Sequence, residues 1–199
     1  MRTISSTWPL PESAIKRLRN TAVATRSGSL WLICHGGPTA TDTVTDQQEQ
    51  RPWRLLRRVL PQHTDHAGVM WHGAYLSWME EARVEALSAA GLAYADLSAS
   101  GLELPVVNLS IQYRQALLHG ETVALYSWVL SRRGVKLPWR TAFVKADGSV
   151  AAEANVELVL VELSSSPERR KVLRQLPQTL SAAIKRLERG PEQESAISL

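Results

Sequence analysis

The sequence predicts an α+β domain in which a curved antiparallel β-sheet wraps around one long central α-helix. Three observations predict it. A stretch free of Pro and Gly from Ala74 to Ala90 carries Tyr75, Trp78, Met79, Ala82, Ala86 and Ala89 at spacings of three and four, so they share one helical face. Beyond it the apolar period changes to two: Val107, Leu109, Ile111 and Tyr113 alternate with Asn108, Ser110, Gln112 and Arg114, as a strand with one buried face requires. Asp147-Gly148 then separates two strand-like runs and suits a hairpin turn, because both positions tolerate positive φ.

In chain order, Trp53 to Leu60 reads as a first strand that leads into the polar run from Pro61 to Gly68. The helix follows, with Glu80, Glu81, Arg83 and Glu85 mainly off its apolar face, and Gly91 supplies its stop. Thr122 to Leu130 resumes strand character, with Val123, Leu125 and Val129 on one side and Tyr126 and Trp128 on the other. Trp139 to Lys145 and Val150 to Val161 complete the set. Antiparallel pairing connects these strands most economically. Such a sheet leaves edge strands that a second copy would cover, so a homodimer or homotetramer is expected.

Residues 1 to 52 differ in texture, being rich in Ser and Thr and broken by Pro9, Pro11, Gly36, Gly37 and Pro38. They are expected to be an N-terminal extension outside the fold. A nonessential or wrongly annotated start ranks first for this segment, an organellar targeting segment second and a functional arm third. The domain is placed at residues 53 to 163. Residues 164 to 199, with the Pro167 break and a weak helical pattern from Leu180 to Leu187, are expected to be a peripheral tail.

With 44% hydrophobic and 21% charged residues, the chain is no disordered polymer, collagen or disulfide scaffold. The lone Cys34 rules out an intrachain disulfide and a four-cysteine zinc site, and fits a reducing, cytoplasmic setting. Basic residues exceed acidic ones by 23 to 19, a net charge of +4. That excess is too small and dispersed for a nucleic-acid protein, yet it helps attract an anionic substrate. No apolar run approaches the roughly 18 residues that a membrane span needs.

The run Gln62-His63-Thr64-Asp65-His66-Ala67-Gly68-Val69-Met70-Trp71-His72-Gly73-Ala74-Tyr75-Leu76 resembles the signature of hotdog-fold thioesterases of the 4-hydroxybenzoyl-CoA thioesterase type. Pro105 to Tyr113 and His119-Gly120-Glu121 look like that family's second strand and following turn, and the resemblance covers roughly residues 53 to 163. It implies a hotdog fold, an acyl thioester of coenzyme A or acyl carrier protein as substrate, and a site between two subunits. It also implies Asp65 as the catalytic carboxylate. His63 stands where the family's first Asp would be, so any orienting role of that acid is absent here.

Elementary chemistry points to the same turn. A thioester carbonyl under attack gathers negative charge on oxygen, so the catalyst needs a base or nucleophile beside it and donors aimed at that oxygen. The free N–H groups at the start of the helix, around Trp71 to Gly73, form a positive end. The His72 amide is the leading donor by its match to the family position, and Gly68 lets the backbone come close. Asp65 is either a general base on water or a nucleophile that forms a mixed anhydride. The competing structural role is a helix-capping turn residue.

Tyr75 and Trp71 are expected to line the acyl pocket or the core, with Trp78 and Met79. Arg133, with Arg132 and Lys136 around Gly134, is expected to meet a coenzyme A phosphate or an acidic carrier. His63, His66 and His72 with Asp65 match no metal spacing, so no metal or redox cofactor is expected. Glu80 and Glu81 could offer a catalytic acid on the helix, but Glu81 followed by Glu85 reads first as a solvated or interface face paired with Arg83. The favoured function is hydrolysis of an acyl-CoA, with a 1,4-dihydroxy-2-naphthoyl or a fatty acyl group as candidates. The alternatives are an acyl carrier protein thioesterase and a noncatalytic acyl-CoA-binding regulator.

Overall fold

Period-two alternation lays down the sheet. The computed structural model describes residues 50–163 and 170–191. The expectation for residues 1 to 52 therefore falls, up to residue 49, outside the described residues. Strands β1 (Trp53–Arg58), β2 (Leu102–Glu103), β3 (Val106–Tyr113), β4 (Thr122–Val129), β5 (Lys136–Lys145), β6 (Val150–Val159), β7 (Val161–Glu162) and β8 (Lys171–Val172) alternate with helices α1 (His72–Ala89), α2 (Tyr94–Ala99) and α3 (Gln178–Arg189). The main sheet runs β1-β4-β5-β6-β3, and β2-β7-β8 form a small second one. All pairings are antiparallel.

Register carries the core across the main sheet. Tyr113 pairs with Ala152, Ala152 with Phe143, Phe143 with Leu125 and Leu125 with Leu55, so one row faces α1 from five strands. From α1 the buried residues are Ala74, Tyr75, Trp78, Met79, Ala82, Ala86 and Leu87. Ala89, expected on that face, is exposed. Leu87 takes its place because α2 and α3 pack beside the last turns of α1 and widen the buried stripe there. Gly91 ends the helix as expected: its φ of 80° lets its N–H reach Ser88 O at 2.9 Å, while Leu92 N–H reaches Leu87 O at 2.9 Å. That reciprocal pair satisfies carbonyls that the last turn would leave open.

Three expectations are corrected. The segment expected as a peripheral tail supplies α3, whose Leu180, Ile184 and Leu187 join the central core, and Trp53 Nε1 donates to Leu187 O at 3.0 Å. Apolar residues three and four apart needed a wall to bury against, and the end of the β1–β4–α1 layer provides it. The hairpin expected at Asp147-Gly148 joins β5 to β6, but only Gly148 has positive φ, at 82°; Asp147 instead accepts Ser149 N–H at 2.8 Å within a four-residue loop. Finally, the alternation in β3 does not bury a face. Val107 is 50%, Leu109 39% and Tyr113 54% exposed, because β3 is an edge strand that no other strand of the described residues pairs along its outer side.

Candidate active site at the start of the central helix

The signature loop is pinned by backbone hydrogen bonds on both sides. Thr64 bridges to Met70 and Val69 to Leu118, while Trp71 N–H donates to His63 O at 3.0 Å. Met70 N–H donates to Leu117 O at 2.8 Å, and His119 N–H to Gly68 O at 3.0 Å. Gly68 sits at φ 75°, a conformation that a side chain would strain, and this turns the chain back toward the helix.

Asp65 shapes that loop. Its Oδ1 accepts the N–H groups of Ala67 at 2.9 Å and Val69 at 3.2 Å. Its Oδ2 makes no hydrogen bond among the described residues, and the residue is exposed. The turn role weighed against catalysis is thus real for one oxygen, but it is played within the loop rather than at the helix: α1 has no side-chain cap.

Trp71 is the extended residue before α1, and the N–H groups of His72 and Gly73 have no acceptor among the described residues. The Trp71 indole lies against Gly73 so closely that a Cβ there would run into the ring. It is 45% exposed, and it meets the exposed His72 ring edge-on with centroids 5.5 Å apart. Two free donors therefore follow an aromatic plate, at the end of a pinned loop whose Asp65 has one uncommitted oxygen. That combination suits an anionic oxygen next to an apolar group.

The remaining candidates fall elsewhere. Tyr75 is buried, tilted on Phe143 at 5.0 Å and edge-on to Tyr113 at 5.1 Å, and burial pushes its hydroxyl up to about 12. It belongs to the core, one ring behind the open β3 edge. His63 accepts Leu60 N–H on Nδ1 at 3.1 Å and packs edge-on against Trp78, a local structural role. Among the described residues no three His, Cys, Asp or Glu side chains are grouped to hold a metal ion.

Glu81 is held not by Arg83, as expected, but by Arg57 of β1, whose Nε lies 2.7 Å from Oε2. This hydrogen bond raises the Arg57 pKa further. Residues two apart point to different sides of a helix, so Arg83 does not reach Glu81, and the packing of β1 brings Arg57 over instead. Arg83 instead lies half-buried, and burial lowers its pKa while Glu80 opposes the shift.

Arg133 sits in the β4–β5 turn. The eight residues of β4 separate it from the Asp65 loop by about 26 Å at roughly 3.3 Å per residue. One chain does not bring the two together. The residues that sequence reasoning missed are Gly73, whose missing side chain accommodates Trp71, and Leu117–His119, which clamp the loop from a distant part of the sequence. Only the His119-Gly120-Glu121 turn marked that segment beforehand.

Comparison with known proteins adds the family. Residues 59–185 match the family described as thioesterase-like superfamily. The chain is 33% identical over 156 residues to "Putative esterase sll0410" of Synechocystis sp., covering 75% of this chain and 92% of the relative. It is 27% identical over 129 residues to the acyl-CoA thioester hydrolase YbgC of Escherichia coli, covering 64% of this chain and 92% of the relative. Among solved structures it is similar to a DHNA-CoA thioesterase from Staphylococcus aureus, with a TM-score of 0.60, 25% identity, and 67% of this chain and 89% of that one covered.

Proposed function

The chain belongs to the thioesterase-like superfamily, and from that premise we infer that it hydrolyses an acyl-CoA thioester to a free acid and coenzyme A. What supports the site assignment is that, among the described residues, the His72 and Gly73 amides lack an acceptor and Oδ2 of Asp65, seven residues earlier on the same pinned loop, makes no hydrogen bond. In this reading the thioester oxygen sits at the two N–H groups and the acyl group packs on Trp71. Asp65 either takes a proton from water as the water oxygen adds to the carbonyl carbon, or adds to that carbon itself. The carbon–sulfur bond then breaks, the coenzyme A thiolate leaves and takes up a proton, and in the second route water then cleaves the mixed anhydride to the free acid and the Asp65 carboxylate. Gly68 lets the loop backbone come close to the substrate, and Tyr75 supports the first turn of α1 from within the core.

A second copy completes the site in this reading. The apolar residues exposed on β3, with Leu76 exposed on α1 and Trp71 exposed just before it, are the surface it would cover. Antiparallel pairing of two β3 edges reverses the partner's sheet. Its β4–β5 end, with Arg133, would then point the same way as the first copy's Asp65 loop, toward the phosphates of a bound coenzyme A. No described helix is long and apolar enough to cross a membrane. A cytoplasmic setting, which would keep Cys34 reduced, accompanies the proposal.

The test is release of free thiol from a panel of acyl-CoAs and acyl carrier proteins, naphthoyl and fatty acyl groups included, by wild type and Asp65→Asn. Turnover of acyl-CoA by the wild type alone supports the reading. Turnover confined to carrier-protein substrates moves the substrate class, and tight acyl-CoA binding without turnover makes the chain a binding protein.

A further inference from the structure

On the inner face of β4 and β5 one strip breaks an otherwise apolar row. Trp139, Ser127 and Thr141 lie there at 3%, 1% and 5% exposure. Thr141 and Trp139 are successive inward positions on β5, and Ser127 is the cross-strand partner of Thr141 on β4. The Trp139 indole N–H has no acceptor among the described residues. The Ser127 and Thr141 hydroxyls are 3.0 Å apart, so they share one hydrogen and the accepting hydroxyl keeps its own. No hydrogen bond among the described residues takes up that hydrogen. Two buried donors without acceptors on one strip are costly in a folded core unless something supplies oxygen.

We propose that this strip is the far end of the acyl site, and that it selects acyl groups carrying a neutral oxygen, such as a hydroxyl, ether or keto oxygen, distant from the thioester. The proposal rests on the thioesterase reading and adds the substrate class. Its placement follows from register. Phe143, which packs on Tyr75 under the start of α1, is the next inward residue on β5. Thr141 lies about 7 Å and Trp139 about 13 Å farther along the strand. From Thr141 the same row continues through Ala154 to Ile111 on the open β3 edge, so only a methyl group separates the strip from that edge strand. The buried helix residues Ala82 and Ala86 also present only methyl groups, and α1 packs closest over β1 and β4 rather than β5. Trp139 and one of the two hydroxyls keep a free donor hydrogen, and none of the three side chains carries a charge. The complementary ligand is therefore an acceptor and not an ion.

The experiment compares kcat/KM for acyl-CoAs of one chain length, unsubstituted or bearing a hydroxyl or keto oxygen at successive positions. The wild type is expected to favour one oxygenated position by about 10- to 100-fold, the discrimination that one or two satisfied donors give. Trp139→Phe keeps most of the ring and removes the N–H. It should cut the preference about tenfold while leaving kcat/KM for the unsubstituted parent within about threefold. Thr141→Val is the second variant and should reduce the same ratio, which keeps the test intact should Trp139→Phe fail to fold. Hydrolysis of the parent as fast as of every oxygenated relative, or variants that slow all substrates alike, overturns the proposal and leaves the thioesterase reading standing. Absence of hydrolysis with every acyl-CoA overturns both.

Discussion

Replacing Asp65 separates its two jobs. Oδ1 holds two backbone N–H groups, at 2.9 and 3.2 Å, and Oδ2 is uncommitted. Asp65→Asn offers an amide oxygen in place of Oδ1 and removes only the charge and the basic oxygen, so the loop should survive. Asp65→Ala loses both bonds. At about 0.5–1.5 kcal/mol each they would total about 1–3 kcal/mol, and because water can replace a partner at this exposed site the lower end, about 1 kcal/mol, is expected. Loss of a positioned base or nucleophile lowers kcat by about 10²–10⁴-fold, or about 2.7–5.4 kcal/mol of barrier. Urea unfolding and thiol release measured on both variants give the answer. Asn should unfold within about 0.5 kcal/mol of wild type with kcat reduced at least a hundredfold, whereas Ala should show a similar loss of kcat on a less stable protein. If Asn keeps near-normal turnover while Ala does not, Asp65 is a loop-shaping residue and the catalytic assignment fails.

Other consequences are equally direct. Leu109→Lys on the β3 edge removes about 1 kcal/mol of apolar burial per copy, counted twice across a two-fold, so the dissociation constant of a dimer should rise about 30-fold in sedimentation. Unchanged assembly would remove β3 as the interface. Tyr75 is raised to about 12 by burial, so between pH 10 and 12 the folded chain holds a proton that the unfolded chain releases. Stability should therefore fall as pH rises through that window, by up to about 2.7 kcal/mol, and this component should be missing in Tyr75→Phe. Identical alkaline curves would contradict it. A double-mutant cycle on Arg57 and Glu81, whose side chains are 31% and 41% exposed, should yield a coupling of about 0.5–1 kcal/mol that shrinks in 1 M salt. Zero coupling at low salt would mean that the pair does not tie β1 to α1.

Much of the architecture was legible because its signals are local. The α1 pattern, the Gly91 stop and the strand alternations each reflect the geometry of a few consecutive residues, and they led to a helix against an antiparallel sheet. The signature from Gln62 to Leu76 likewise placed Asp65 on the loop and His72 at the helix start. The alternation in β3 shows where such signals stop. It records that one face is apolar, but not whether the covering surface belongs to the same chain.

What the linear order determined by itself was the type and sequence of elements and the family to which they belong, since both are written in spacing. Tertiary structure alone decided who meets whom: Arg57 rather than Arg83 on Glu81, α3 inside the core rather than beside it, and Arg133 at the opposite end of β4 from Asp65. Those outcomes depend on contacts between residues tens of positions apart. Only closure of the sheet around α1 chooses among the many partners that local pattern leaves open.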